Sequence, residues 1–225
     1  MAHDWMRSLK PDRPFLMMES SPSATNWQEV AKLRRPGMHM LASMQAVAHG
    51  SDSVQYFQWR KGRGGSEKFH GAVVDHDGPT EHRVFREVSE VGKRLKALRS
   101  VAGTVFPSKV ALLHDVENRW ALGEMQGLHN KVPQKGYMAD LLAFYRPFFD
   151  QGVNVDVVDQ EADFTPYKLV VAPMLYLLRA GIAGKLASFV EKGGILVGTY
   201  WTGIVDENDL CYLCLLYTSD AADDL

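Results

Sequence analysis

The chain has little cysteine, no excess of positive charge and no long apolar run, and each shortage removes a class of function. Its two cysteines, Cys211 and Cys214, form a single C-x-x-C. No second cysteine or histidine pair accompanies it, and a structural zinc needs four ligands. A formal net charge of -2 over 225 residues argues against nucleic acid as a partner, because a binder of that kind carries a basic face or stripe. Arg60, Lys61 and Arg63 do cluster, but the glycines among them read as a solvated loop. No apolar stretch approaches the roughly 20 residues of a membrane span. The start, Met1-Ala2-His3-Asp4-Trp5, lacks the basic-then-apolar profile of a signal peptide, so the cytoplasm is the expected compartment. No G-x-G-x-x-G, P-loop or H-E-x-x-H occurs.

What is present is an ordinary globular composition, 46% hydrophobic, enough for one or two domains with a real core. Residues 1–9 read as the end of a helix stopped by Pro11 and Pro14, and residues 14–20 as a strand. From Trp27 to His49 apolar residues recur at helical spacing, with Pro36 as a first-turn restart. Residues 53–59 are strand-like, a glycine-rich loop follows, and residues 72–76 are a short extended piece. Val84, Val88, Val91, Leu95 and Leu98 mark one face of an amphipathic helix over residues 80–101. Gly103 and Pro107 form a boundary. Beyond it lie strands at 109–114, 153–158, 169–173 and 194–200, with helices at 137–149 and 182–191. Strands alternating with helices imply a parallel sheet covered on both faces, laid out like a flavodoxin-like doubly wound domain.

The chemistry concentrates in the first half. Phe15-Leu16-Met17-Met18-Glu19 places a carboxylate where an apolar strand gives way to loop, and barrel enzymes work at the C-terminal ends of their strands. Trp27, eight residues on, offers an aromatic face for the C–H surface of a sugar. Glu67 and His70, three residues apart, could face the same hydroxyls from one turn. Each also has a plain structural reading: Glu67 paired with Lys68 or Arg63, His70 a loop histidine, Trp27 a helix-start core residue. In the second half, Asp115, Glu117, Asp159, Glu161 and Asp163 fall at strand ends, where carboxylates more often cap helices or stay solvated. A class I amidotransferase would need a cysteine nucleophile where Pro173-Met174 stands, so that activity is not expected.

The blocks P-F-L-M-M-E-S-S-P-S-A-T-N-W, R-P-G-M-H-M and Q-A-V-A-H-G-S-D-S-V-Q-Y-F-Q-W-R-K-G-R-G-G-S-E-K-F-H-G-A-V-V-D-H closely resemble glycoside hydrolase family 42, the beta-galactosidases. The resemblance runs from about Met1 to Leu213. It implies the C-terminal portion of a (β/α)8 TIM barrel (residues 1–104, strands 7 and 8) followed by a truncated class I amidotransferase-like trimerisation domain (105–213). It also implies a galactoside substrate, a homotrimeric parent and no cofactor. Glu19 would match the nucleophile of a retaining mechanism, and Trp27, Glu67 and His70 the positions that hold the galactosyl unit.

The family's acid/base glutamate, preceded by asparagine, belongs to barrel strand 4, upstream of the first strand here. The chain is therefore expected to be an inactive fragment. Residues 214–225, CLLYTSDAADDL, resemble a translated sequencing adapter, a non-native tail. Two other readings stand beside this one: a retaining glycosidase of another sugar such as an arabinopyranoside, and a non-catalytic sugar-binding or association module.

Overall fold

A computed structural model describes residues 1–78, 82–127 and 130–213; the tail from Cys214 and the expected helix start at Thr80 lie outside them. The chain separates into two compact units, one of Lys10–Phe106 and the other of Met1–Leu9 with the described residues from Pro107 onward. Helix α1 (Ala2–Ser8) opens the chain. The Lys10–Phe106 unit then holds strand β1 (Phe15–Ser20), helix α2 (Met38–Ala48), strand β2 (Ser51–Tyr56) and helix α3 (Arg83–Ala97). β1 and β2 pair in parallel, with α2 in the crossover. Two successive β/α units of this kind make part of a barrel wall. The apolar positions of α3 face inward as their spacing predicts: Val91 is 1% exposed and Val84, Val88, Leu95 and Leu98 are half-buried.

The helix expected from Trp27 does not form there. It begins only at Met38, behind Gly37 in the left-handed region at φ 80°. Val30 and Leu33 are 62% and 68% exposed, so their helical spacing faces no core. The extended piece expected at 72–76 is reduced to one bridge, Val74 to Arg60.

The second unit adds β3 (Val110–Leu113), α4 (Val116–Glu124), α5 (Tyr137–Asp150), β4 (Val155–Val158), β5 (Leu169–Ala172), α6 (Ile182–Glu191) and β6 (Ile195–Gly198). Its sheet is all parallel in the order β4-β3-β5-β6, the doubly wound arrangement. Alternate residues feed two cores. Val110, Leu112 and Val171 pack with Leu122, Tyr137 and Leu141, whereas Ala111, Leu113, Val170 and Ala172 pack with Leu186 and Phe189. No apolar periodicity marks α4 in advance. Asp115 caps it by accepting the Asn118 N–H at 3.0 Å. No helix among the described residues is long and apolar enough to cross a membrane.

Nine residues at the start join this second unit through buried polar groups. Arg7 donates to the Asp156 carboxylate at 2.6 Å and to the Val155 carbonyl at 2.8 Å. Ser8 accepts the Val157 N–H at 2.9 Å, Tyr145 donates to Asp4, and Trp5 sits edge-on to His114 at 4.3 Å. A division at residue 104 would part these nine residues from the sheet they pack on.

Asp156→Ala removes one of the two carboxylates that meet the buried Arg7 guanidinium and leaves it to Asp4, 3.3 Å away. The second unit should lose about 1–3 kcal/mol, read from urea unfolding. Alkaline pH acts through tyrosines. Burial pushes the Tyr137 hydroxyl from 10.0 up to about 12, so its contribution is complete below pH 10.0 and is lost as pH climbs towards 12. Burial and then their carboxylate neighbours raise Tyr145 and Tyr167 as well. Unfolding followed by circular dichroism should show stability falling across that window, and falling less in Tyr137→Phe.

Candidate functional site

Glu19 is the penultimate residue of β1, and its aim is set by an irregularity in the strand. Met17 pairs with Val54 but Ser20 pairs with Tyr56, so β1 holds one more residue than β2 over that stretch. Strict alternation would send Met18 and Glu19 to opposite faces; here both are exposed. No hydrogen bond or ion pair reaches the Glu19 carboxylate among the described residues. It stands free at the C-terminal end of a parallel strand.

Two loops leave that end of the sheet and are laced together. The loop after β1 folds on itself through Ser21, whose hydroxyl donates to the Ser23 carbonyl at 3.1 Å. The loop after β2 starts where the Phe57 N–H donates to the Ser20 carbonyl at 3.3 Å, next to Glu19. Farther on it doubles back: the Val73 and Val74 N–H groups donate to the Gln58 and Trp59 carbonyls at 2.9 and 2.8 Å. Lys61 bonds both oxygens of Asp75 at 3.0 Å. Burial of Asp75 raises its pKa, but the His76 N–H and Lys61 outweigh that and hold it below the usual carboxylate range.

Between the loops run two direct bonds. The Asn26 side chain donates to the Ser66 carbonyl at 2.9 Å, and the Gly71 N–H donates to the Ala24 carbonyl at 2.7 Å. Trp27 and Glu67 are each adjacent in sequence to one end of the first bond. His70 adjoins the second. A Cβ on Gly71 would lie 2.7 Å from the Ser23 Cβ and 2.8 Å from the Ala24 nitrogen, so only glycine allows the approach.

Trp27 is 68% exposed and so presents an indole face rather than filling a core. Glu67 is exposed and makes no ion pair with Lys68 or Arg63. His70 is 3% exposed, its N–H bonded to the Glu67 carbonyl at 2.8 Å and its ring 5.3 Å from Phe57. Neither ring nitrogen of His70 has a hydrogen-bond partner among the described residues. A buried imidazole in that state keeps its hydrogen-bonding capacity for another molecule.

Sequence reasoning missed the groups beneath this surface. Tyr56, at the end of β2, bonds Ser43 at 3.3 Å and lies edge-on to His39 at 5.8 Å. His39 is 1% exposed on α2, with the Glu87 carboxylate 3.9 Å away. Burial, and then the Arg34 charge, hold His39 below the ordinary histidine pKa of 6.5. The available signal was a lone histidine on the inner side of a helix. Asn26 was legible only as one polar residue among several.

The strand-end carboxylates of the second unit are all engaged structurally. Asp115, fully buried, caps α4 and receives the Gln160 amide at 2.9 Å and Arg179 at 3.2 Å. Arg179 also meets Glu117 at 2.9 Å and Glu161 at 3.6 Å. Burial lowers the Arg179 pKa, but its three acids, Glu117 first, raise it further. Asp159 accepts the backbone N–H groups of Glu161 and Ala162, and Asp163 accepts Thr165.

Comparison with known proteins divides the chain in a similar way. Residues 1–98 match a glycoside hydrolase family 42 model described as beta-galactosidase, and residues 108–218 match one described as beta-galactosidase trimerisation domain. Beta-galactosidase Pbg of Clostridium perfringens is 57% identical over 211 residues, covering 94% of this chain and 30% of that protein. Beta-galactosidase BglY of Alicyclobacillus acidocaldarius is 54% identical, covering 95% and 30%. Among solved structures, Gan42B, a GH42 beta-galactosidase, superposes with a TM-score of 0.91 at 54% identity, covering 95% of this chain and 31% of that one. The cold-adapted beta-galactosidase of Rahnella sp. R3 gives 0.92 at 53%, with the same coverage. The chain thus spans about a third of the length of the relatives it matches.

Gly71→Ala should cost about 1–3 kcal/mol, because backbone rather than a flexible side chain blocks the new methyl. Hydrogen exchange should show residues 21–27 and 66–71 losing protection together. On acidification, the depressed pKa of His39 means that its contribution is present above about pH 6.5 and fades as pH falls. His39→Gln should flatten that decline in the Lys10–Phe106 unit.

Proposed function

The chain belongs to glycoside hydrolase family 42, the beta-galactosidases, and on that premise we propose that it carries the nucleophile strand and part of the sugar pocket of a retaining beta-galactosidase. The observation that carries the reading is Glu19, a free carboxylate turned outward at the C-terminal end of a parallel strand, beside two loops that bring Trp27, Glu67 and His70 to the same end. A related Gan42B structure, in which alanine replaces a glutamate, is described as a catalytic mutant, so a glutamate is catalytic in that relative.

In the proposed reaction a Glu19 oxygen attacks the anomeric carbon as the glycosidic C–O bond breaks. A second carboxylic acid, from a part of the longer protein that this chain does not include, protonates the departing oxygen. The product of that step is a glycosyl ester on Glu19. The second residue, now a carboxylate, takes a proton from water as the water attacks the same carbon. The ester bond breaks, the sugar leaves with its original anomeric configuration, and Glu19 is regenerated.

Trp27 supplies a flat apolar surface for the C–H face of the sugar, while Glu67 accepts hydroxyl protons. The unsatisfied His70 ring would bond a hydroxyl from a buried position, and losing such a partner costs about 1–3 kcal/mol. The second unit, matched to a trimerisation domain, is proposed to assemble the parent as a homotrimer. The surplus of structural ion pairs over free acids at its strand ends supports an assembly role over a catalytic one.

In the full-length parent, Glu19→Gln should lower kcat on a chromogenic galactoside by at least about 1,000-fold, equivalent to about 4 kcal/mol, with little change in KM. Unchanged turnover would exclude Glu19 as nucleophile. Comparing kcat/KM for the galactoside and the matching arabinopyranoside, which lacks the hydroxymethyl group, decides the sugar: a higher value for the arabinoside would reassign it. The 225-residue chain alone should turn over neither substrate.

A further inference from the structure

At the N-terminal end of the four-stranded sheet a lysine precedes each of three adjacent strands. Lys109 comes just before β3, Lys168 just before β5, and Lys192 at the end of α6 shortly before β6. Lys168 and Lys192 border a cavity of about 420 Å³ that also meets Phe164, Tyr167, Lys185 and Phe189. That volume lies within the range of small-molecule sites, roughly 300–1,000 Å³.

Charge within the cavity is one-sided. The Lys185 ammonium lies 4.6 Å from the centre of the Phe164 ring and donates to the Glu161 and Gln160 carbonyls at 2.7 and 3.4 Å; after the Thr165 bonds, its charge also helps to hold Asp163 below the usual carboxylate range. No carboxylate pairs with Lys168 or Lys192 among the described residues. The one acid on the rim, Asp163, is occupied by the N–H and hydroxyl of Thr165 at 2.9 and 2.7 Å. Three lysines thus line one concavity; Asp163 faces the charge of Lys185, and Lys168 and Lys192 have no carboxylate partner among the described residues. The dipole at the end of α6 accounts for Lys192 alone, not for Lys168 on a different element.

The floor is apolar and fixed. Phe164 and Phe189 are 3% and 9% exposed and meet edge to face at 6.2 Å. Gly194 presses its backbone on the Phe189 ring, where any Cβ would come within 2.4 Å. Open α/β sheets usually bind ligands at the opposite, C-terminal ends of their strands. Here Arg179 and its three acids converge at that end of the sheet, and the lysine cavity is a separate concavity of the unit.

We propose that this cavity binds a small phosphomonoester, its phosphate held by Lys168 and Lys192 and its organic body resting on the Phe164 and Phe189 edges. A dianion suits two unpaired ammonium groups better than a monoanion does. Phosphate geometry also tolerates point-charge donors on flexible stems. The site lies within the second unit and does not depend on the glycosidase reading.

Isothermal titration of the 225-residue chain with phenyl phosphate, inorganic phosphate and phenol tests it. Phenyl phosphate should bind with Kd below about 1 mM, inorganic phosphate more weakly and phenol not at all. The double substitution Lys168→Gln with Lys192→Gln should raise Kd at least about tenfold. Lys168→Arg with Lys192→Arg should retain binding, as should Lys32→Gln with Lys93→Gln in the other unit. The proposal fails if phenyl phosphate gives no heat at millimolar concentration. It also fails if phenol or inorganic phosphate binds equally well, or if the remote lysine pair matters as much as the cavity pair.

Discussion

The hydrogen bond from the Gly71 N–H to the Ala24 carbonyl, 2.7 Å long with no room for a methyl group, is the constraint on which the candidate site depends. Parallel strands deliver their C-terminal ends to one side, but they do not dictate how the loops beyond them arrange themselves. Trp27 has no core to hold it, and Glu67 has no ion partner. Both are placed by backbone, through this bond and the Asn26–Ser66 bond beside it. Beneath the loops, buried His39 and Ser43 meet the half-buried Tyr56 at the end of β2 in a small polar layer. Precision comes from main-chain contacts while the side chains stay available.

The acids at the strand ends of the two units differ in what they do. In the second, Asp115, Glu117 and Glu161 converge on one guanidinium, and Asp159 and Asp163 cap turns, so each charge is consumed where it stands. In the first, Glu19 is left unbonded by an irregular strand that turns it outward. A carboxylate with structural duties is poorly suited to forming a covalent bond, because attack on substrate would require it to leave its partners. The contrast fits the proposed division between a unit that holds shape and one that offers Glu19 for chemistry.

Much of the fold was legible because burial leaves periodic traces. The apolar spacing of α3 is its inner face, and α6 spans the residues its pattern marks. Residues 27–36 misled for the same reason: Val30 and Leu33 have helical spacing but face solvent, and spacing does not reveal whether a core lies opposite. α4 escaped notice because its exposed Trp120 blurs the apolar stripe. The residues of the candidate site were readable as types, through the resemblance of whole blocks to a family. Their arrangement was not. A bond between residues 40 apart, or one extra residue in a strand, has no periodic signature.

The buried pair of Arg7 and Asp156 joins residues 149 apart in the chain. On a ribosome adding about 5–20 residues per second, the first of these groups waits roughly 7–30 seconds for the second. Throughout that interval Arg7 and Asp4 have no sheet to dock on, while the segment carrying β1 and β2 has already emerged. Docking of α1 on this sheet is therefore not vectorial: it waits for β4, and the second unit closes over a segment made long before it.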